Sequence, residues 1–326
     1  MKNGHFVISL DFELHWGFFD LMSVDQYQEN LANVGKVIDG LLELSALYDV
    51  KITFATVGFL FAKDKKELLA FTPKIKPTYT KEALNPYPLL NNIGTNEIDD
   101  PYHFGYSILE KIKRDGHHEI STHTFSHYYC NEAGQSTSQF NSDIAAAKNI
   151  GEHFGTPIKS IVFPRNMVND EALKVCKDAG ITSYRGTEKA YIYRIDPKKP
   201  YYNWLAVRGP RMLDSYINIT GNNIYDLTEL NKGATIINLP SSRFLRPYNS
   251  KLSMFESLKI KRITKGMKKA AQQNKLFHLW WHPHNFGSHM DKNFENLEKI
   301  FNTYKELNNL HGFSSVTMTS LANKLL

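Results

Sequence analysis

The sequence predicts an α/β protein, a distorted (β/α) barrel of seven or eight strands, and three observations predict it. Short apolar segments with strand character alternate with amphipathic helical segments along 326 residues, the pattern of a parallel sheet covered by helices. The units are numerous enough to favour a barrel over an open sheet. Polar residues also recur where apolar strands end, which is where parallel barrels build their sites. With 42% hydrophobic residues the chain can bury one large core, so residues 1–326 read as a single domain. Two irregular stretches, near 63–102 and 187–232, are too long for ordinary connections and read as insertions.

The elements follow in order. "HFVISLDFE" alternates with period two and reads as the first strand. A helical stretch from about Val24 to Tyr48 places Val34, Val37, Ile38, Leu41 and Leu42 at three-and-four spacing. "VKITFATVGFLF" is a second strand running into a turn, and after the first insertion the helix "YSILEKIKRDG" leads to the strand "HEIST". A helix near Gln139 to Phe154, the strand "SIVFP", a helix near Asp170 to Ala179 and the strand "ITSYRG" continue the alternation. "ATIINLP" and "LFHLWWHPH" read as strands with a basic helix between them. A helix near Asn293 to Leu307 then precedes a short final strand and the terminal "SLANKLL".

Composition narrows the class. The two cysteines, Cys130 and Cys176, form no Cys-x-x-Cys pair, which argues against a disulfide framework or thiolate zinc site and suits a reducing compartment. The amino-terminal apolar run is interrupted by Asp11 and Glu13, so no signal peptide is read there. No apolar run has the length of a transmembrane segment, and the expectation is a cytoplasmic protein. The net charge of +6 is densest in "SLKIKRITKGMKKAAQQNK", where lysines alternate with apolar residues at helical spacing. That is the signature of a solvated helix face, and no nucleic-acid partner is expected.

The strand-end residues carry the chemistry. Asp11 and Glu13 are separated by one residue and share a face, while Ile8, Leu10 and Phe12 take the other. Two carboxylates at a barrel mouth repel unless a cation or proton lies between them; a structural ion pair of Asp11 with Arg165 or a lysine is the alternative. His123 and His127 sit at the end of the third strand, three residues between them, with His127 one turn later on a loop entering a helix. With Glu13 they would supply the three ligands of a catalytic zinc site, or of another divalent transition metal, leaving a position open for water; two surface histidines in a loop are the alternative that spacing leaves open. Arg165 ends the fourth strand, and His282 and His284 end "LFHLWWHPH". Arg185, Arg243 and Arg246 end other strands and are candidates for an anionic group of a substrate, and Trp281 for stacking on a sugar ring. His117, His118 and His278 read as structural.

"GHHEISTHTFSH" resembles the second motif of the polysaccharide deacetylase, or NodB-homology, family (carbohydrate esterase family four), in which a Gly-His-Glu-Ile run leads into His-Ser/Thr-x-x-His. "SLDFELHWG" resembles its first motif in an Asp-x-Glu variant, "KITFATVGF" the strand after it, and "SIVFPRN" the motif that supplies an arginine. The resemblance implies a NodB-type barrel and a metal-dependent N-deacetylase acting on an N-acetylated sugar of a polysaccharide or its cytoplasmic precursor. It implies Asp11 as base, Glu13, His123 and His127 as metal ligands, Arg165 as the arginine that orients the base, and a histidine of the last barrel strand as acid. His282 is preferred to His284 there, and the spacing of the two acids leaves their roles open to exchange.

Three other readings remain in view. Some relatives hydrolyse other C–N amide bonds; a glycosidase would use Asp11 and Glu13 as its carboxylate pair and need neither histidine; and a carbohydrate-binding protein would keep the pocket without turnover.

Overall fold

A computed structural model describes residues 3–193, 205–230 and 236–326. Parts of the expected 187–232 insertion and of the "ATIINLP" strand lie outside these residues. The strands are β1 (His5–Phe12), β2 (Ile52–Thr56), β3 (Glu119–Thr122), β4 (Ser160–Val162), β5 (Ser183–Arg185), β6 (Tyr225–Asp226), β7 (Ile237–Asn238), β8 (Arg243–Phe244), β9 (Lys275–Trp281) and β10 (Ser314–Ser315). The helices are α1 (Gln28–Ala32), α2 (Val34–Tyr48), α3 (Lys65–Phe71), α4 (Tyr106–Asp115), α5 (Thr137–His153), α6 (Asp170–Asp178), α7 (Leu205–Asp214), α8 (Leu227–Leu230), α9 (Glu256–Gln272), α10 (Met290–His311) and α11 (Met318–Leu325).

The sheet runs β6-β9-β1-β2-β3-β4-β5-β7, with β10 paired to β1 and β8 to β9. Every described pairing is parallel except β6 on β9. The end strands β6 and β7 are not neighbours in this order, so the sheet curls into an open, distorted half-barrel of the kind the alternation predicts.

Strand alternation decides what each face does. Phe6, Ile8, Leu10 and Phe12 of β1 join one core with Ile38 and Leu41 of α2, Ile263 and Met267 of α9, and Ile300 and Phe301 of α10. The interior side is narrow and takes small polar side chains. Ser9 hydrogen-bonds His278 Nε2 at 2.8 Å, His278 donates from Nδ1 to Leu239 O at 2.9 Å, and Ser121 donates to Ser160 O at 2.7 Å. Burial pushes the His278 pKa down to about 3, so it is a neutral strut, as read from sequence. His118 is structural too, contacting Ser45 Oγ and accepting from Ile52 N. The strand-start end of the barrel is closed by α11, whose Met318, Leu321, Ala322 and Leu325 pack on Val7, Ala55 and Ile237.

As expected, the second strand stops at Thr56 and runs into a 3-10 turn at Gly58–Phe61; a Cβ on Gly58 would stand 2.6 Å from the Phe125 backbone. The basic helix departs in part from the solvated face read in the sequence. In α9, Lys261, Lys265, Lys268 and Lys269 are exposed, but Lys259 and Arg262 are buried. Lys259 Nζ donates to Arg246 O at 2.8 Å and pairs with Glu256 at 2.7 Å.

Arg243, expected to reach a substrate, is instead an internal clamp. With Arg262 it flanks the buried Asp214, which also accepts from the N–H groups of Ile219 and Thr220 at 2.9 Å. Both guanidinium groups donate to Gly221 O as well. One carboxylate therefore ties α7 and the chain after it to β8 and α9. Removing one partner of a buried charge cluster strands the others. Asp214→Ala is expected to lower unfolding free energy by about 3–5 kcal/mol in urea titration, whereas a loss within 1 kcal/mol would show that the arginines keep other solvation.

Candidate active site

The mouth of the barrel is organised by the end of β1. Asp11, the last inward residue of β1, meets Arg185 from β5 in a two-pronged ion pair of 2.6 and 2.8 Å. Arg185 also donates to Ser9 Oγ at 3.1 Å and Asn166 Oδ1 at 3.0 Å, and its guanidinium lies 4.1 Å from the Trp280 ring centre. Burial alone would raise the Asp11 pKa, but the charge and hydrogen bonds of Arg185, together with His123 and His282, offset it and the carboxyl is held below its usual range.

Glu13 comes to the site by a break in the strand. Leu14 takes a positive φ of 46° and residues 14–17 form a 3-10 turn, so the Glu13 carboxylate folds over Gly17. Its Oε2 lies 3.3 Å from both His123 Nε2 and His127 Nε2. Burial pushes its pKa up, but His282 and the two facing imidazoles hold it well below the usual range.

The two histidines stand on the loop between β3 and α5, and α5 begins at Thr137. Left-handed residues Thr124 (φ 65°) and His127 (φ 55°) fold the loop back on itself. Asp143 of α5, fully buried, accepts from the N–H groups of Phe125 at 2.7 Å and Ser126 at 3.1 Å. His123 donates from Nδ1 to Val162 O at 2.8 Å, and His127 Nδ1 is 3.0 Å from the Tyr129 phenol oxygen. Both Nδ1 atoms are thus engaged and both Nε2 atoms face Glu13.

That donor set fits a divalent ion. The three ligand atoms lie within 4.8 Å of one another. Metal–ligand bonds of about 2.0–2.2 Å in tetrahedral array set ligand atoms roughly 3.3–3.5 Å apart, and the 3.3 Å separations match that edge better than a hydrogen bond. The outer partners of each imidazole are the supports a ligating histidine needs.

His282 follows β9 and approaches from the other side. Its Nε2 is 3.7 Å from Asp11 and 3.6 Å from Glu13, and Asn285 Nδ2 is 3.3 Å from its Nδ1. Tyr27 donates to Asn285 Oδ1 at 3.1 Å. His282 keeps about a quarter of its side chain exposed, whereas His284 is buried behind it, ring centres 5.1 Å apart, with a pKa pushed down to about 3 by burial and then by the His282 charge.

Residues 35–184 match the family model described as polysaccharide deacetylase. That region is similar to the polysaccharide deacetylases. The deacetylase match includes His123, His127 and Arg165 but begins after Asp11 and Glu13 and ends before Arg185 and His282. In overall shape the chain is similar to a Mycobacterium smegmatis protein assigned to the polysaccharide deacetylases, with a TM-score of 0.59 and 14% identity over 99% of this chain and 90% of that one. It is also similar to the 4-alpha-glucanotransferase of Thermococcus litoralis, with a TM-score of 0.50 and 13% identity over 99% of this chain and 41% of that one. At such identities the likeness is one of fold. No curated protein matches the sequence.

Several expectations are corrected by the geometry. The two-pronged partner of Asp11 is Arg185 and not Arg165, which pairs with Asp20 at 2.6 Å and lies 4.3 Å from the Tyr129 ring centre. Arg185, expected to face substrate, is buried and occupies that place. Trp281 is fully buried and stacks on Phe286 at 5.5 Å, so it offers no sugar platform; Trp280 is the tryptophan turned toward the mouth. Arg246 is half-buried, its Nε donating to Ser215 Oγ at 2.7 Å. Sequence reasoning passed over Asp20, Tyr129, Asp143 and Asn285, which are ordinary polar residues until the fold brings them to the site.

Gly17 yields a sharp test. A Cβ there would fall 2.0 Å from the Glu13 carboxyl carbon. Gly17→Ala is expected to reduce bound divalent metal at least tenfold by elemental analysis while leaving the melting temperature nearly unchanged; full metal retention would show that Glu13 can sit elsewhere.

Proposed function

We propose that the protein is a metal-dependent amide hydrolase, an N-deacetylase of an N-acetylated sugar in a polysaccharide or its precursor, with residues 1–326 forming one catalytic domain. The observation that carries the reading is the triangle of Glu13, His123 and His127 at coordination spacing, with Asp11 and His282 beside it. A divalent ion, zinc in our reading, would be held by those three residues and would supply Lewis acidity to a carbonyl oxygen and an acidified water.

The remaining work falls to the chain itself. Asp11, kept ionised and oriented by Arg185, accepts a proton from the attacking water. The water oxygen adds to the acyl carbon, the C–N bond breaks, and His282 delivers a proton from Nε2 to the departing amine. The products are a carboxylate and a free amino group. The division of labour between the acids follows from their neighbours: Glu13 faces two imidazole nitrogens, and Asp11 faces a guanidinium. Between the histidines, His282 is the one that reaches solvent.

A glycosidase reading requires one of the two carboxyls to stay protonated as the general acid. Asp11 and Glu13 are both held below the usual carboxylate range, which supports the hydrolysis of an amide instead.

Metal content of the untagged protein, wild type against His127→Ala, is the first test. About one divalent ion per chain, lost in the variant, is expected, together with acetate release from acetylated amino sugars. His282→Ala is expected to retain the metal and lose roughly a hundredfold or more in kcat. Undiminished activity in a strong chelator would overturn the proposal.

A further inference from the structure

One surface beside the mouth has no part in the chemistry described so far. Met212 and Leu213 of α7, Ile217 and Ile219 after it, and Met254 and Phe255 before α9 are all exposed, Met254 by 79%. They belong to two chain segments packed together. Tyr216 and Phe255 meet at 6.4 Å between ring centres, and Arg262 of α9 reaches Asp214 of α7. The surface connects to the active site in three steps: the Phe244 ring is 5.8 Å from His282, Arg246 lies 5.7 Å from Phe244, and Arg246 bonds Ser215.

Its charges have one sign. Arg208, Lys251, Lys261 and Lys265 are exposed, and Arg208 and Arg211 lie close enough to Arg246 to repel its charge. Within residues 208–220 and 250–265 the only acids are Asp214 and Glu256, and both are buried and paired with cations. A hollow between the two segments is lined by Tyr216, Asn218, Leu258, Lys261, Arg262 and Lys265, a place for an anionic headgroup among apolar residues.

We propose that this surface docks the protein on an anionic membrane, with the barrel mouth turned toward the lipid and the substrate a sugar amide carried on a lipid phosphate. Exposed apolar side chains enter the interface while lysine and arginine hold anionic headgroups. A second copy of the chain is the poorer occupant, because meeting face to face would bring like charges together. No described helix is long and apolar enough to cross a bilayer, so contact of this kind would be peripheral. The substrate half of the proposal rests on the hydrolase reading; the docking half does not.

The test is co-sedimentation with vesicles of phosphatidylcholine alone or with about one third phosphatidylglycerol. Wild type is expected to bind only the anionic vesicles and to be released by high salt. Ile217→Asp/Met254→Asp and Lys261→Glu/Lys265→Glu are each expected to weaken partitioning about tenfold or more without a change in melting temperature. Absence of vesicle binding, or variants that bind like wild type, would overturn the proposal. So would a wild-type dimer that the aspartate pair converts to monomer. The two readings fail separately: wild type that binds anionic vesicles but releases no acetate from acetylated amino sugars would overturn the hydrolase assignment alone, and wild type that hydrolyses a soluble amide but does not bind the vesicles would overturn the docking assignment alone.

Discussion

The ion pair between Asp11 and Arg185 is the constraint on which the mouth of this barrel depends. It joins β1 to β5 across the curled sheet, through two short hydrogen bonds with almost no water access. A buried carboxylate with one partner would cost several kcal/mol in lost hydration. Here the guanidinium is itself satisfied by Ser9 and Asn166 and covered by Trp280. The pair thus fixes the end of β1, and with it the point from which Glu13 departs.

From there the site is assembled by turns more than by regular structure. Leu14, Thr124, His127, Arg165 and Asn166 all carry positive φ, a backbone region that costs non-glycine residues free energy and gathers where surrounding contacts enforce it. The contacts are visible. Asp143 captures two N–H groups of the histidine loop. Tyr102, in the first insertion, accepts from His15 N at 3.2 Å, and His103 just after it contacts His15 at 2.9 Å and accepts through its carbonyl from Trp16 Nε1 at 2.9 Å. Tyr79, also in the first insertion, accepts from Tyr129 N, behind His127. The insertion at 63–102 therefore acts as a buttress for both segments that carry Glu13, His123 and His127.

What was legible in the sequence follows from this division. Strand and helix alternation, the opposed faces of β1, and the grouping of Asp11, Glu13, His123, His127 and His282 depend on local periodicity and on the rule that strand ends converge. Choosing among arginines does not. Arg165 and Arg185 both end strands, and their separation into a partner of Asp20 and a partner of Asp11 is set by the left-handed turn at Arg165. Nothing in the local pattern distinguishes Trp280 from Trp281 either, since the choice depends on which face of β9 meets the α10 side of the core. Arg243 looked available because its acid, Asp214, lies 29 positions away in an irregular stretch.

The second insertion has a different physical character from the first, and the contrast bears on how the molecule meets its substrate. The first buries Tyr79 and Tyr87 and supports the loops that carry Glu13, His123 and His127. The second is anchored by Asp214 between two arginines, which keeps the backbone of α7 and its following turn fixed while turning Met212, Leu213, Ile217 and Ile219 outward. A chain that merely lacked core-forming capacity there would show polar residues at those positions. Apolar side chains held outward by a buried charge cluster, beside the barrel mouth and, among the described residues of segments 208–220 and 250–265, with exposed charges of one sign, are the arrangement expected of a surface whose solvent is not water alone.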